Sequence, residues 1–113
     1  MSTLSEMRCV SCRTNDPIMT DSQIDQFMPQ IPEWRVREVN GEKRLEREFK
    51  FRNFAEALAF TDKIGAIAED QDHHPQLITQ WGRVTVSWWT HKIHGLHQND
   101  FVMAAKTDQL AGL

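Results

Sequence analysis

The chain has 113 residues, of which 40 % are apolar and 26 % charged, a balance typical of one globular domain. Its net charge of −3 argues against a nucleic-acid surface, which needs clustered Lys and Arg. No apolar run approaches the ~20 residues of a membrane span, and the first residues lack the basic start and apolar stretch of a secretion signal. We therefore expect a cytoplasmic protein that binds neither nucleic acid nor membranes.

The first 19 residues are polar and show no periodicity, which predicts a flexible leader ahead of one domain spanning residues 20–113. Cys9 and Cys12 form a C-x-x-C pair in this leader. The pair is half of a zinc site, since structural zinc takes four ligands, and nothing strand-like precedes it as a thioredoxin-like motif requires. We interpret the two thiols as reduced side chains, with zinc held between two leaders as the less favoured alternative.

The first half of the domain predicts a short helix followed by a hairpin. Thr20 and Gln23 form a capping-box pattern, and the apolar stripe that begins at Ile24 is stopped by two prolines. Asn40 and Gly41 both tolerate positive φ, which favours a tight turn between two strands. The second of these strands alternates apolar and charged residues, as a strand with one solvent-facing side does.

The second half repeats this order. Asn53 and Glu56 predict the start of a helix that runs to about Asp70 and must end before Pro75. The segments "QLITQW" and "VTVSWWT" predict a second hairpin, and a last helix follows near residues 97–110. The order helix, two strands, helix, two strands, helix predicts an α+β fold: a four-stranded antiparallel sheet with helices packed on one face.

Three histidines flank the second hairpin. His73 and His74 precede it, and His91 follows it. Because a hairpin returns the chain to its starting point, we expect the three imidazoles to meet at one end of the sheet. Imidazole titrates near neutrality, so such a cluster can donate and accept protons at cellular pH. Asp100 is expected early in the last helix, where an acid favours the helix dipole and where it could also orient His91.

Two other interpretations of the histidines are weaker. His91, His94 and His97 are spaced three apart, but the glycine in "HGLH" breaks any helical ligand spacing, and the H-E-x-x-H pattern is absent. We therefore predict no metal. A histidine that merely packs or faces solvent is the default for a single residue, and we keep it for His94 and His97.

Trp88 and Trp89 are adjacent in a strand, so one should point away from the core, which favours a partner surface.

Three segments together resemble one known family. "EDQDHHPQL", "RVTVSWWTH" and "GLHQND" are similar, in sequence and in spacing, to the successive motifs of the pterin-4a-carbinolamine dehydratases, over roughly residues 20–110. The family usually has Ser or Thr where this chain has His97, which is a poor N-cap. We therefore expect the last helix to begin frayed and to hold Asp100 loosely.

The resemblance implies a lyase that dehydrates 4a-hydroxytetrahydropterin to quinonoid dihydropterin, with no metal and no cofactor, in the recycling of tetrahydrobiopterin. By motif, His73, His74 and His91 would be the catalytic residues, with Asp100 orienting an imidazole. His73 and His91 would donate protons towards the leaving hydroxyl, and His74 would be the base or a binding residue.

The resemblance also suggests how the pterin is held. Glu69 and Asp72 would bind its amino-pyrimidine edge, and Pro75 would be a further substrate-binding residue. Acids at a helix C-terminus oppose the dipole, which favours a functional role for Glu69 and Asp72.

We expect a homo-oligomer, a dimer or a tetramer. The main alternative function is a dimerisation module that binds a partner protein, like the family's transcription cofactors; a metal-dependent hydrolase is weaker. An interface module has no reason to keep three histidines and Asp100, so their presence favours catalysis.

Overall fold

Four antiparallel strands form one sheet in the computed structural model, which describes residues 4–112. The strands lie in the order β1-β2-β4-β3, and three helices alternate with the two hairpins. In chain order the elements are α1 (Asp21–Phe27), β1 (Arg35–Val39), β2 (Glu42–Lys50), α2 (Phe54–Gln71), β3 (Gln76–Gln80), β4 (Arg83–Trp88) and α3 (Gln98–Leu110). The predicted α+β class and element order are confirmed.

Both hairpin turns contain residues in the left-handed region. Asn40 and Gly41 have φ of 54° and 81°, as the tight turn between β1 and β2 requires. Gly82, with φ of 74°, turns the chain between β3 and β4, and a Cβ there would lie 3.2 Å from the carbonyl oxygen of Phe51. The positive φ and this tight approach together favour glycine in the second turn.

The core lies between the inner face of the sheet and the two long helices. Its members alternate along the strands and recur at helical spacing along α2 and α3, which buries one face of each element. They include Leu45, Phe49, Val84, Val86 and Trp88 of the sheet, Ala57, Phe60 and Ile64 of α2, and Phe101, Val102 and Ala105 of α3. Within residues 4–112 no helix combines the length and the hydropathy that a membrane span needs.

The two ends of α2 are fixed by specific backbone contacts. At its start Asn53 accepts a hydrogen bond from the Glu56 amide at 2.9 Å, as predicted. At its end Asp72 adopts a left-handed conformation with φ of 51°, and the His73 amide donates to the Ala68 carbonyl at 3.1 Å. This helix stop turns the chain so that the two adjacent histidines precede β3.

Residues 4–19, the predicted leader, lie against the domain. Leu4 is 1 % exposed and belongs to the core. Val10 and Asn99 exchange two hydrogen bonds: the Val10 amide donates to Oδ1 at 3.0 Å, and Nδ2 donates to the Val10 carbonyl at 2.7 Å. The Met19 amide donates to the carbonyl of Leu96 at 2.9 Å. The flexibility of the segment stays a prediction, but its described contacts join it to the start of α3.

The expectation that one of Trp88 and Trp89 would be exposed is wrong. Trp88 is 0 % and Trp89 7 % exposed. Trp89 belongs to the buried hydrophobic cluster, and the guanidinium of Arg44 lies over its ring, 3.8 Å from the centroid, a cation–π contact. The tryptophan that faces solvent is Trp81, in the turn between β3 and β4, at 71 % exposure.

Candidate active site

One cavity lies at the end of the sheet where β3 begins and β4 ends. Gln76 of β3 pairs with Ser87 of β4, so the segment before β3 and the segment after β4 are neighbours. The cavity has a volume of about 420 Å³, within the range of small-molecule sites. Its lining comes from four segments: Cys9, Val10, Ser11 and Cys12; Gln71, Asp72, His73 and His74; Thr90, His91 and Lys92; and Asn99. The structure thus brings His73, His74 and His91 together.

Asp100 joins three segments beneath this cavity. Its side chain is fully buried. Oδ1 lies 2.6 Å from Nε2 of His73, while Oδ2 accepts hydrogen bonds from the hydroxyl of Thr90 at 2.8 Å and from the His97 amide at 2.9 Å. The imidazole beside Asp100 is therefore that of His73, and the expectation that it orients His91 is wrong. The other oxygen of this carboxylate is occupied by the hydroxyl of Thr90 and the amide of His97.

The partners of His73 determine which ring nitrogen is free. An ionised carboxylate only accepts hydrogen bonds, so Nε2 of His73 carries the proton shared with Asp100. The ring also stacks on the indole of Trp88, with centroids 5.8 Å apart and planes 8° from parallel. These two contacts hold the imidazole in one orientation and leave Nδ1 as the nitrogen available to a ligand.

His74 and His91 are the exposed members of the histidine cluster. The side chain of His74 is 54 % exposed, and its Nε2 is hydrogen-bonded to the Glu69 carboxylate. The ring of His91 lies beside that of Trp89, with centroids 4.5 Å apart. Both imidazoles therefore have one side supported by the protein and another open to the cavity.

The three predicted pterin-binding residues differ in position. Asp72 lines the cavity, whereas its lining among residues 4–112 includes neither Glu69 nor Pro75. Glu69 lies in the last turn of α2, and its carboxylate is hydrogen-bonded to Nε2 of His74. Glu69 therefore supports a cavity residue from outside. The binding roles of all three stay predictions.

The expectation of a frayed start to α3 is wrong. His97 is the N-cap, and its Nδ1 accepts the amide of Asn99 at 3.0 Å. Asp100 in turn accepts the His97 amide, which completes a reciprocal cap. A neutral imidazole offers one acceptor nitrogen, so it can replace the hydroxyl oxygen of a Ser or Thr cap. Asp100 is consequently held firmly.

The histidines at positions 91, 94 and 97 do not form a metal site together. Nδ1 of His94 lies 3.6 Å from Glu42, and Nε2 of His97 lies 3.6 Å from Asp16. Across the part of the chain that the structure describes, the metal-ligating atoms that lie within 4.8 Å of one another belong to Cys12, Asp16 and His97.

Several residues that line the cavity are not predicted as site residues by the sequence. Thr90 and Asn99 carry no motif that marks them as site residues, although Thr90 directly precedes His91. The C-x-x-C pair is recognisable in the sequence, but its place in the polar N-terminal segment predicts a position on a flexible leader and not in a cavity lining. Cys9 is anchored through its amide to Oε1 of Gln71 at 2.9 Å, and burial raises the pKa of its thiol from 9.0 to about 11, with a further contribution from Asp100.

The amino-acid sequence of this chain is similar to those of known proteins. A family model described as pterin 4 alpha carbinolamine dehydratase matches residues 17–110. The chain is 54 % identical over 110 residues to a Syntrophotalea carbinolica protein, with 97 % of this chain and 98 % of that protein covered. It is 56 % identical over 108 residues to a Gloeobacter violaceus protein, with coverage of 96 % and 93 %. The curated names of both begin "Putative pterin-4-alpha-carbinolamine dehydratase".

Two solved structures share the fold. A transcriptional coactivator/pterin dehydratase from Brucella melitensis superposes with a TM-score of 0.76 at 31 % identity, covering 85 % of this chain and 100 % of that one. A pterin dehydratase-like protein identified as a RuBisCO assembly factor in the alpha-carboxysome gives a TM-score of 0.60 at 27 % identity, covering 71 % and 90 %.

Proposed function

Because the chain belongs to the pterin-4-alpha-carbinolamine dehydratase family, we propose that it dehydrates 4a-hydroxytetrahydropterin by histidine acid–base catalysis. The observation that carries the proposal is the lining of one cavity by His73, His74 and His91, with the first of them held by a buried carboxylate. A cavity of about 420 Å³ accommodates a two-ring heterocycle of this kind.

The reaction requires one proton to be added and one to be removed. The bond between C4a and the hydroxyl oxygen breaks, and the oxygen leaves as water once it is protonated. The electron pair of N5 forms the new C4a=N5 double bond, and N5 loses its proton. Neither step changes the overall oxidation state, so acids and bases suffice.

His73 and His91 are the proposed proton donors. In the protonated form of His73, Nδ1–H can donate to the leaving oxygen while Asp100 stabilises the positive charge through Nε2, as the carboxylate of a catalytic triad does. His91 reaches the cavity from the opposite side of the hairpin and is proposed to share the protonation of the hydroxyl.

His74 is the proposed base. Glu69 contacts its Nε2, which fixes the ring and leaves Nδ1 to accept the proton of N5. Asp72, which lines the cavity beside His74, is proposed to bind the amino-pyrimidine edge of the pterin, because a carboxylate accepts the two N–H groups of such an edge.

The proposed chemistry uses no metal. Purified protein should accelerate the dehydration of the 4a-carbinolamine equally well in the presence of excess EDTA, within about twofold, because the proton donors and the acceptor are side chains. The decay of the carbinolamine is followed by absorbance with and without the chelator. Complete loss of the acceleration in EDTA would contradict the metal-free mechanism.

We further propose that the chain forms a homo-oligomer. Oligomerisation is compatible with both of the functions considered for this family, catalysis and protein interaction. Phe54 and Leu58, one turn apart on α2, are each 44 % exposed and form an apolar strip. We expect Leu58→Lys to lower the oligomeric mass measured by light scattering, because a charge would be buried in the contact. Lys63→Glu on the same helix is the control, and an unchanged mass in Leu58→Lys would exclude this strip from the interface.

A further inference from the structure

The C-x-x-C segment lines the cavity but has no role in the proposed proton transfers, and one of its thiols lies in a group of metal-ligating atoms. The Cys12 thiol, the Asp16 carboxylate and the His97 imidazole each contribute one ligand atom, all within 4.8 Å of one another, and all three residues are partly buried. We propose that these three residues bind a zinc ion that clamps the N-terminal segment to the first turn of α3.

The spacing of two of the ligands already suits a metal. Nε2 of His97 and the nearest oxygen of Asp16 are 3.6 Å apart, too far for a good hydrogen bond. Ligands at zinc bond lengths of about 2.0–2.3 Å in a tetrahedral arrangement are separated by roughly 3.3–3.6 Å. The pair therefore stands at the separation that a shared zinc ion gives, and the Cys12 thiol, which lies within 4.8 Å of both partners, needs to approach by about 1 Å at most.

A tight turn holds the other ligand pair. The Asp16 amide donates to the Arg13 carbonyl at 2.9 Å, and the Arg13 amide donates to Oδ2 of Asp16 at 3.0 Å. Lys92 also donates to the carbonyl of Cys12 at 3.4 Å. These contacts fix the backbone of the turn, in which the Cys12 thiol and the Asp16 carboxylate lie within 4.8 Å of each other.

The chemistry of the ligands selects zinc. A thiolate and an imidazole favour zinc over the hard cations magnesium and calcium, which prefer oxygen. A thiolate and a carboxylate together also neutralise the two charges of the ion. Water or a ligand atom from the cavity side fills the fourth position.

Binding has one local cost. Nδ1 of His97 accepts the Asn99 amide, so coordination through Nε2 requires the ring proton to move to Nδ1 and the cap hydrogen bond to break. The lost cap is one hydrogen bond, whereas the site gains zinc–thiolate, zinc–imidazole and zinc–carboxylate bonds, so metal binding outweighs this cost.

Cys9 is not one of the ligands. Its sulfur lies 3.9 Å from the carbonyl oxygen of Asn99, and its amide is fixed to Gln71. The group of close ligand atoms contains Cys12 without Cys9. Cys9 therefore serves as a matched control for Cys12 within the same C-x-x-C pair.

The test measures zinc affinity of the full chain by competition with a chromophoric chelator. We expect one zinc ion per chain, and we expect Cys12→Ser, Asp16→Asn and His97→Ser each to weaken binding by more than about 100-fold. His97→Ser is informative because serine is itself a good N-cap, so the helix start is kept while the imidazole is lost. Cys9→Ser and His94→Gln should change the affinity by less than about threefold.

Cobalt gives a second readout that is independent of enzymatic activity. Co²⁺ in the site should show a thiolate charge-transfer band and the visible bands of tetrahedral coordination, and Cys12→Ser should abolish the former. Wild-type protein that binds no zinc overturns the proposal. It is equally overturned if Cys9→Ser loses as much affinity as Cys12→Ser, since the C-x-x-C pair would then be the site, or if His97→Ser keeps wild-type affinity.

Discussion

Replacing either exposed histidine of the cavity should remove most of the catalysis. We expect His74→Ala and His91→Ala each to lower kcat/KM for carbinolamine dehydration by about 100-fold or more, because a positioned proton donor or acceptor contributes that much. Both side chains are exposed, so the loss should not come from unfolding. The measurement is the dehydration rate together with the free energy of unfolding in urea.

His94→Ala is the matched control for these two variants. His94 belongs to the same stretch of chain but lies outside the cavity lining and contacts Glu42. Its kcat/KM should stay within about twofold of wild type, as for a surface substitution. Wild-type rates in both His74→Ala and His91→Ala would instead show that the cavity histidines take no part in the reaction.

Asp100 should matter for stability as well as for rate. Asp100→Ala removes the acceptor for His73, Thr90 and the His97 amide at once, inside the protein. Leaving buried donors without partners costs about 1–3 kcal/mol each, so we expect a loss of roughly 3 kcal/mol in the free energy of unfolding. Urea denaturation gives this value.

Asp100→Asn separates the two effects if the alanine variant is too unstable to assay. The amide keeps one acceptor oxygen, so the variant should fold, but it cannot stabilise a charged His73. We expect kcat/KM to fall by about 10- to 100-fold, as for other residues that orient a catalytic group. Asp70→Ala, whose carboxylate is 63 % exposed and paired with Arg8, is the control and should change stability by less than about 0.5 kcal/mol. If Asp100→Ala also changed the free energy of unfolding by less than about 0.5 kcal/mol, the stabilising role of the hydrogen bonds to Asp100 would be contradicted.

Local patterns carried much of the prediction. The caps at Thr20 and Asn53 and the turn at Asn40-Gly41 each depend on a few adjacent residues, and all three are present. The convergence of the histidines was also predictable, because antiparallel pairing of neighbouring strands fixes where a hairpin ends. These features need no knowledge of distant parts of the chain.

The features that were missed depend on side-chain direction or on distant partners. Which imidazole Asp100 contacts is decided by the contacts of Thr90 and His97 with its other oxygen. The burial of Leu4 in the core and the hydrogen bonds of the Val10 backbone with Asn99 depend on partners distant in sequence, and neither residue lies in a periodic pattern. That His97 caps α3 follows from the orientation of its ring, which residue preferences do not reveal.

The pairing of Val10 with Asn99 has a practical consequence for dissecting this protein. A fragment cut at the limits of the family match, residues 17–110, would contain every cavity histidine and still lack one side of the binding cleft. Such a fragment would leave the side-chain amide of Asn99 without the backbone of Val10 as its partner. The mouth of the cleft would also be wider. Its selectivity among heterocycles would then differ from that of the 113-residue chain, so this truncation would alter the property under study.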